Sequence, residues 1–174
     1  MQLYKFRSIA QAPCIVLLGT AGLAACTSLS RTLCIAPDGP NTVSIVADEN
    51  SNRDRAVAVD LVFVSDALLA GEIVKLNASD YFAKRTQLER DYPGAMRITS
   101  WELAPGQTIS DAAIDAPCAV DATLVFANYA SPGDHRQRLE DGPSRLLLEL
   151  GETDFVVDND KMMPNPAQAA ATGS

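Results

Sequence analysis

Four cysteines, a single histidine and a run of acids, amides and arginines near position 50 are the residues of this 174-residue chain whose types could do chemistry. Cys26 stands out among them. It closes the run Leu23-Ala24-Ala25-Cys26 behind an apolar segment from Ile9 to Leu23, which Lys5 and Arg7 precede. A cationic start, an apolar stretch and small residues before a cut form a secretory signal. A cysteine directly after the small pair predicts that its thiol takes a diacylglyceryl group, that the chain is cut before it, and that the new amine is acylated. Each buried methylene contributes about 0.8 kcal/mol, so several acyl chains hold a protein on a membrane where one does so only reversibly. A transmembrane anchor, the alternative, needs about 20 mostly apolar residues. Here Gln11, Pro13, Gly19 and Gly22 interrupt a shorter stretch. Thr27, rather than an aspartate, follows the cysteine and implies the periplasmic face of the outer membrane as destination.

Of the other cysteines, Cys14 leaves with the signal, so Cys34 and Cys118 remain as a pair. An oxidising compartment and a count of two favour a disulfide between them, with two buried free thiols as the alternative. Closing so long a loop stabilises a fold by roughly 4 to 5 kcal/mol in the chain-entropy model.

Candidates for catalysis are few. His135 lies in a polar stretch and reads as a solvated loop residue rather than a base. The sequence has no Gly-x-Ser-x-Gly elbow, no His-Glu-x-x-His helix and no paired Cys-x-x-Cys. Asp154, Asp158 and Asp160 suggest calcium at first sight, but Asp158-Asn159-Asp160 is followed by Lys161 where a binding loop alternates oxygen ligands towards a glutamate. A solvated face fits better, and neither metal nor cofactor is expected. The run Asp48-Glu49-Asn50-Ser51-Asn52-Arg53-Asp54-Arg55 differs in kind, being eight consecutive polar residues between two strand candidates. Loops carried on rigid strands are where binding residues concentrate; an ordinary solvated hairpin connection is the alternative.

The elements that must position these residues follow from periodicity. Val43, Ile45 and Ala47 alternate as in a half-buried strand, and Val57, Val59, Leu61 and Phe63 do so more clearly, with Asp60 interrupting the other face. This second strand is expected centrally in a sheet. Asn77 or Ser79 can cap a helix running to Tyr92, with Tyr81, Leu88 and Tyr92 on one stripe and Pro93-Gly94 as its stop. Further strands are expected over 96–103, 107–114, 124–129, 145–150 and 154–157, with Trp101 as a packing residue and the polar stretch 131–143 between two of them. Several short strands with one inserted helix describe a mainly β chain, a β-sandwich. The expected organisation is a signal over 1–25, a lipidated tether over 26–32, the sandwich over 33–160 and a Pro-, Ala- and Gly-rich disordered tail over 161–174. Removing the first 25 residues, which hold two cations and no acid, leaves 149 residues with 12 basic and 22 acidic side chains. That surface repels phosphate backbones and argues against nucleic acid as a partner.

Several pieces together resemble the outer-membrane lipoproteins of type VI secretion systems, the TssJ or SciN type. That family shows a lipobox, a first strand, a polar Asn-containing loop and a strand of the form Val-x-Val-x-Leu-x-x-Leu, then a segment with Phe in a helix and a strand ending in Leu-x-Pro-Gly. This chain offers Cys26, Thr42 to Ala47, Asn50 to Arg55, Val57 to Phe63, Leu76 to Phe82 and Trp101-Glu102-Leu103-Ala104-Pro105-Gly106-Gln107 in that order. The resemblance covers roughly 42–107; Val62-Phe63 replaces the usual aliphatic-tyrosine pair, and the Trp-Arg of many members is absent. It implies a transthyretin-like β-sandwich with an added helix, tethered inside the outer membrane, without enzymatic activity. It also implies that the loop Asp48 to Arg55 binds the periplasmic domain of the inner-membrane protein TssM. A different class of function, an envelope lipoprotein whose sandwich binds a small ligand or carbohydrate, calls for exposed aromatics. With aromatic content at 6%, that reading ranks lower.

Overall fold

Val57, Val59, Leu61 and Phe63 point one way from their strand while Asp60, Val62 and Val64 point the other, and both sets are buried. A strand covered on both faces needs a layer on each side, and the molecule supplies them. The computed structural model describes residues 39–139 and 145–158. The signal, the tether with Cys26, Cys34 and the tail from 161 lie outside those residues. The elements run β1 (Thr42–Ala47), β2 (Val57–Val64), α1 (Ala67–Ile73), α2 (Ala78–Asp91), β3 (Met96–Leu103), β4 (Thr108–Ala113), β5 (Ala122–Ala127), β6 (Arg136–Leu139), β7 (Arg145–Leu150) and β8 (Phe155–Asp158). They form two four-stranded sheets, ordered β4-β1-β7-β8 and β3-β2-β5-β6. The mainly β sandwich expected from the sequence is the observed architecture, and β2 is an interior strand.

Between the sheets lies the main core, where Val43, Ile45, Val59, Leu61, Phe63, Val125, Leu146 and Leu148 interdigitate. Behind the second sheet, Val62, Val64, Leu124 and Phe126 meet Leu69, Ile73 and Tyr81 of the helices in a second core. All the pairings are antiparallel except β1 with β7, which run parallel with Thr42 opposite Arg145 and Ala47 opposite Leu150.

Two elements depart from the sequence reading. The single inserted helix is one of two: α1 precedes it, capped by Asp66, whose carboxylate accepts from Leu69 N at 2.8 Å. Only Leu69, Ala70 and Ile73 of α1 are buried, too few in seven residues to show a period. The polar stretch 131–143 contains β6, an edge strand of sequence Arg-Gln-Arg-Leu whose pairing with β5 supplies what its side chains do not. Trp101, expected as a packing residue, packs half-buried against the main core.

The second helix, α2, is docked by a polar contact at its centre. Asn77 caps it by accepting from Asp80 N at 2.7 Å. Tyr81 stacks on Phe126 with ring centroids 4.0 Å apart, and its hydroxyl donates to Asp60 Oδ2 at 2.8 Å. Arg85, one turn on, reaches the same carboxylate oxygen at 3.0 Å. Burial first, then the charge and hydrogen bond of Asp60, push the Tyr81 phenol far above its ordinary value. A phenol whose folded pKa exceeds its unfolded value stabilises fully below the unfolded pKa and loses that contribution as pH rises through the folded one. We expect folding stability, measured by urea unfolding, to begin falling above about pH 10, with a shallower fall in Tyr81→Phe. An identical fall in the two proteins would exclude Tyr81 as a source.

Candidate functional site

The loop over 48–55 is not a hairpin connection, because β1 and β2 belong to different sheets and the loop crosses from one to the other. Its backbone folds on itself through Ser51 N to Asp48 O at 3.0 Å, Arg53 N to Asn50 O at 3.1 Å and Arg55 N to Ser51 O at 3.3 Å. Asn52, Arg53 and Asp54 carry φ values of 47°, 54° and 62°, a single left-handed turn built without glycine. Left-handed geometry costs about 1 to 2 kcal/mol per residue for most side chains, with asparagine and aspartate more tolerant. Such strain persists where the surroundings over-determine it.

Asn52 is the residue that does so. It is 4% exposed, its Nδ2 donates to Ala56 O at 3.0 Å, and its Oδ1 accepts from Ala130 N at 2.8 Å. Ser51 beside it is fully buried. Of the eight candidate loop residues, Ser51 and Asn52 therefore face inward, and Asp48, Glu49, Asn50, Arg53, Asp54 and Arg55 form the exposed surface.

Four connections share this end of the sandwich: 48–55, 104–107, 128–135 and 151–154 each join the close of one odd-numbered strand to the start of the next. Hydrogen bonds tie them together. Gly106 N donates to Asp48 O at 3.0 Å, Asn52 N to Gly151 O at 3.2 Å, and the Ser131 hydroxyl to Thr153 O at 2.6 Å. The long Asn50 Nδ2 to Glu152 Oε2 contact, at 3.4 Å, adds a weaker tie.

His135 corrects the sequence reading. Instead of a solvated loop residue it is 6% exposed, with Nδ1 at 3.0 Å from Asp154 Oδ1 and Nε2 at 2.8 Å from Ser131 O. Gly133 makes room for it, since a Cβ there would come within 2.6 Å of the imidazole. Both ring nitrogens are engaged, so the imidazole joins the 128–135 connection to the 151–154 turn rather than facing a substrate. Asp154 also accepts from Phe155 N at 2.9 Å, so it takes part in that joint while its side chain stays 63% exposed, as a solvated acidic residue does. Tyr129 packs against the imidazole at 5.0 Å between centroids. Burial, followed by the charges of Asp154 and Asp48, raises its phenol well above the ordinary value. The Tyr129 hydroxyl and the Ser51 Oγ are the buried side-chain oxygens that no described residue partners. Asn52, His135 and Asp154 carry no motif in the sequence; their roles arise from partners 78 and 19 residues away.

The opposite end receives the N-terminal entry to β1, where Gly39, at φ 137°, passes so close to Phe63 that a Cβ would lie 2.7 Å from the ring. Cys118, in the connection between β4 and β5 at this same end, is disulfide-bonded. No described helix is long and apolar enough to cross a membrane.

No protein-family model matches the chain, and no curated protein matches it in sequence. Solved structures do resemble it. The type VI secretion lipoprotein TssJ1 from Pseudomonas aeruginosa superposes with a TM-score of 0.51 at 19% identity, covering 75% of this chain and 100% of that one. Lip from Serratia marcescens, a membrane-bound component of the type VI secretion system, gives a TM-score of 0.54 at 13% identity, covering 74% and 100%. This chain, with its two four-stranded sheets and helices behind one of them, shares its fold with these two lipoproteins, each matched over its full length.

Proposed function

We propose that this chain is a lipid-anchored, non-enzymatic component of a type VI secretion membrane complex. In this reading Cys26 holds it to the periplasmic face of the outer membrane, and the loop over 48–55 binds the periplasmic domain of a TssM-like inner-membrane protein. The observation that carries the reading is the position of that loop: a rigid, strained turn at the end of the sandwich opposite the N-terminal entry. A strand of six residues spans about 20 Å, so an anchor at one end leaves the other facing into the periplasm. Cys34 is the partner we assign to Cys118, which would fasten the entry segment to the anchored end.

Fractionation and binding test the two halves separately. Cys26→Ser is expected to move the protein from the outer-membrane fraction to the soluble periplasm and to abolish secretion; retention with secretion intact defeats the anchor. Exchanging Arg53, Asp54 and Arg55 for alanine, which leaves the buried Asn52 in place, is expected to weaken binding to the TssM-like periplasmic domain by about 100-fold, as loss of a desolvated interface centre does. Unchanged affinity defeats the loop assignment.

A further inference from the structure

Resting on that reading, we infer that the whole four-connection end, and not the 48–55 loop alone, is one acidic docking face that selects a basic patch on its partner. The charge census favours acids. The 48–55 loop carries Asp48, Glu49 and Asp54 against Arg53 and Arg55, while the connections 104–107, 128–135 and 151–154 add Asp134, Glu152 and Asp154, opposed by Arg136 at the start of β6, 3.7 Å from Asp134.

These groups are presented as a unit. Asn52 bonds to both the 128–135 and 151–154 connections, and His135 joins those two to each other. Two further features lie at this end. The unpartnered Ser51 Oγ and Tyr129 hydroxyl both lie in its connections, the latter within the electrostatic reach of Asp48 and Asp154. Val156, one of two strongly exposed large apolar residues among those described, follows the 151–154 turn at 60% exposure and offers an apolar contact at the rim.

Charge complementarity fixes the chemistry of the occupant. A field of this sign accelerates encounter with a cationic surface and repels anionic lipid or nucleic acid, and the acceleration fades with salt. Arg53 and Arg55, on the strained turn, would meet carboxylates within that otherwise basic patch and set its register.

The test uses residues outside the 48–55 loop. Asp134→Asn with Glu152→Gln removes two charges while keeping amide acceptors; Asp134→Lys with Glu152→Lys reverses them. Against the TssM-like periplasmic domain at low salt, the neutral pair should slow association by about 3-fold and the reversed pair by about 10-fold or more, with all three proteins converging at high salt. Association rates and salt slopes unchanged in both variants, while the Arg53-Asp54-Arg55 exchange still weakens binding by about 100-fold, confine the interface to one loop and overturn the inference without touching the reading beneath it. Faster association of the reversed pair overturns it by requiring an acidic partner. Concentration-dependent dimerisation of the wild-type chain that the reversed pair abolishes overturns it in favour of a second copy. Absence of any binding by the wild-type chain removes both the inference and the reading.

Discussion

Asp60→Ala is expected to destabilise the domain by about 3 kcal/mol, at the lower end of what removing one partner of a buried charge pair costs. Asp60 is 1% exposed at the middle of β2 and receives both the Tyr81 hydroxyl and the Arg85 guanidinium. Its removal leaves the Tyr81 hydroxyl stranded against Phe126, whereas Arg85, whose side chain is 33% exposed, can turn to solvent. That escape keeps the expected cost from the top of the range. Asp60→Asn, which retains an acceptor for Tyr81, should lose less. Combining Asp60→Ala with Tyr81→Phe should cost less than the sum of the single changes, because the hydroxyl that the first strands is absent in the second. Urea unfolding of the four proteins reads all of these values; strict additivity would mean that the Tyr81–Asp60 bond contributes nothing.

Asn52→Ala should cost about 2 kcal/mol and loosen the 48–55 loop, since the buried Asn52 amide gives up two hydrogen bonds, to Ala56 O and from Ala130 N, at roughly 1 kcal/mol each. Asn52→Gly makes the same loss but adopts the φ of 47° freely, so it should recover about 1 kcal/mol relative to alanine. The expected order of stability is asparagine, then glycine, then alanine. Equal stability of the two variants would show that the left-handed turn stores no strain at this position. Affinity for the TssM-like domain should fall in both, because a loop released from Ala130 must be reordered on binding.

Much of this fold is legible along the chain. Alternating Val43, Ile45 and Ala47 gave β1, and β2 reads as central because its apolar residues occupy both faces, as a doubly covered strand requires. Of the two caps the sequence offers, Asn77 is the one used, and the Pro93-Gly94 stop places the end of α2 to within a residue. Other elements were hidden for identifiable reasons. The edge strand β6 has Gln137 and Arg138 exposed and is held by backbone bonds to β5 and by the Arg136 guanidinium on Val74 O and Leu76 O, which no side-chain pattern announces. The short α1 owes its existence to three buried residues and an aspartate cap, too little for a period to register.

At the candidate site, the sequence alone determined that 48–55 is polar, follows a buried strand and precedes another, and that the one histidine belongs to no catalytic motif. These are properties of neighbouring residues, and composition and spacing carry them. Only the tertiary structure decided that the loop bridges two sheets, that Ser51 and Asn52 face inward while Arg53, Asp54 and Arg55 face out, and that His135 is a buried joint. The physical reason is the distance along the chain between partners. Asn52 is held by Ala130 and His135 by Asp154, and a hydrogen bond between residues so far apart exists only once both sheets have closed over their common core.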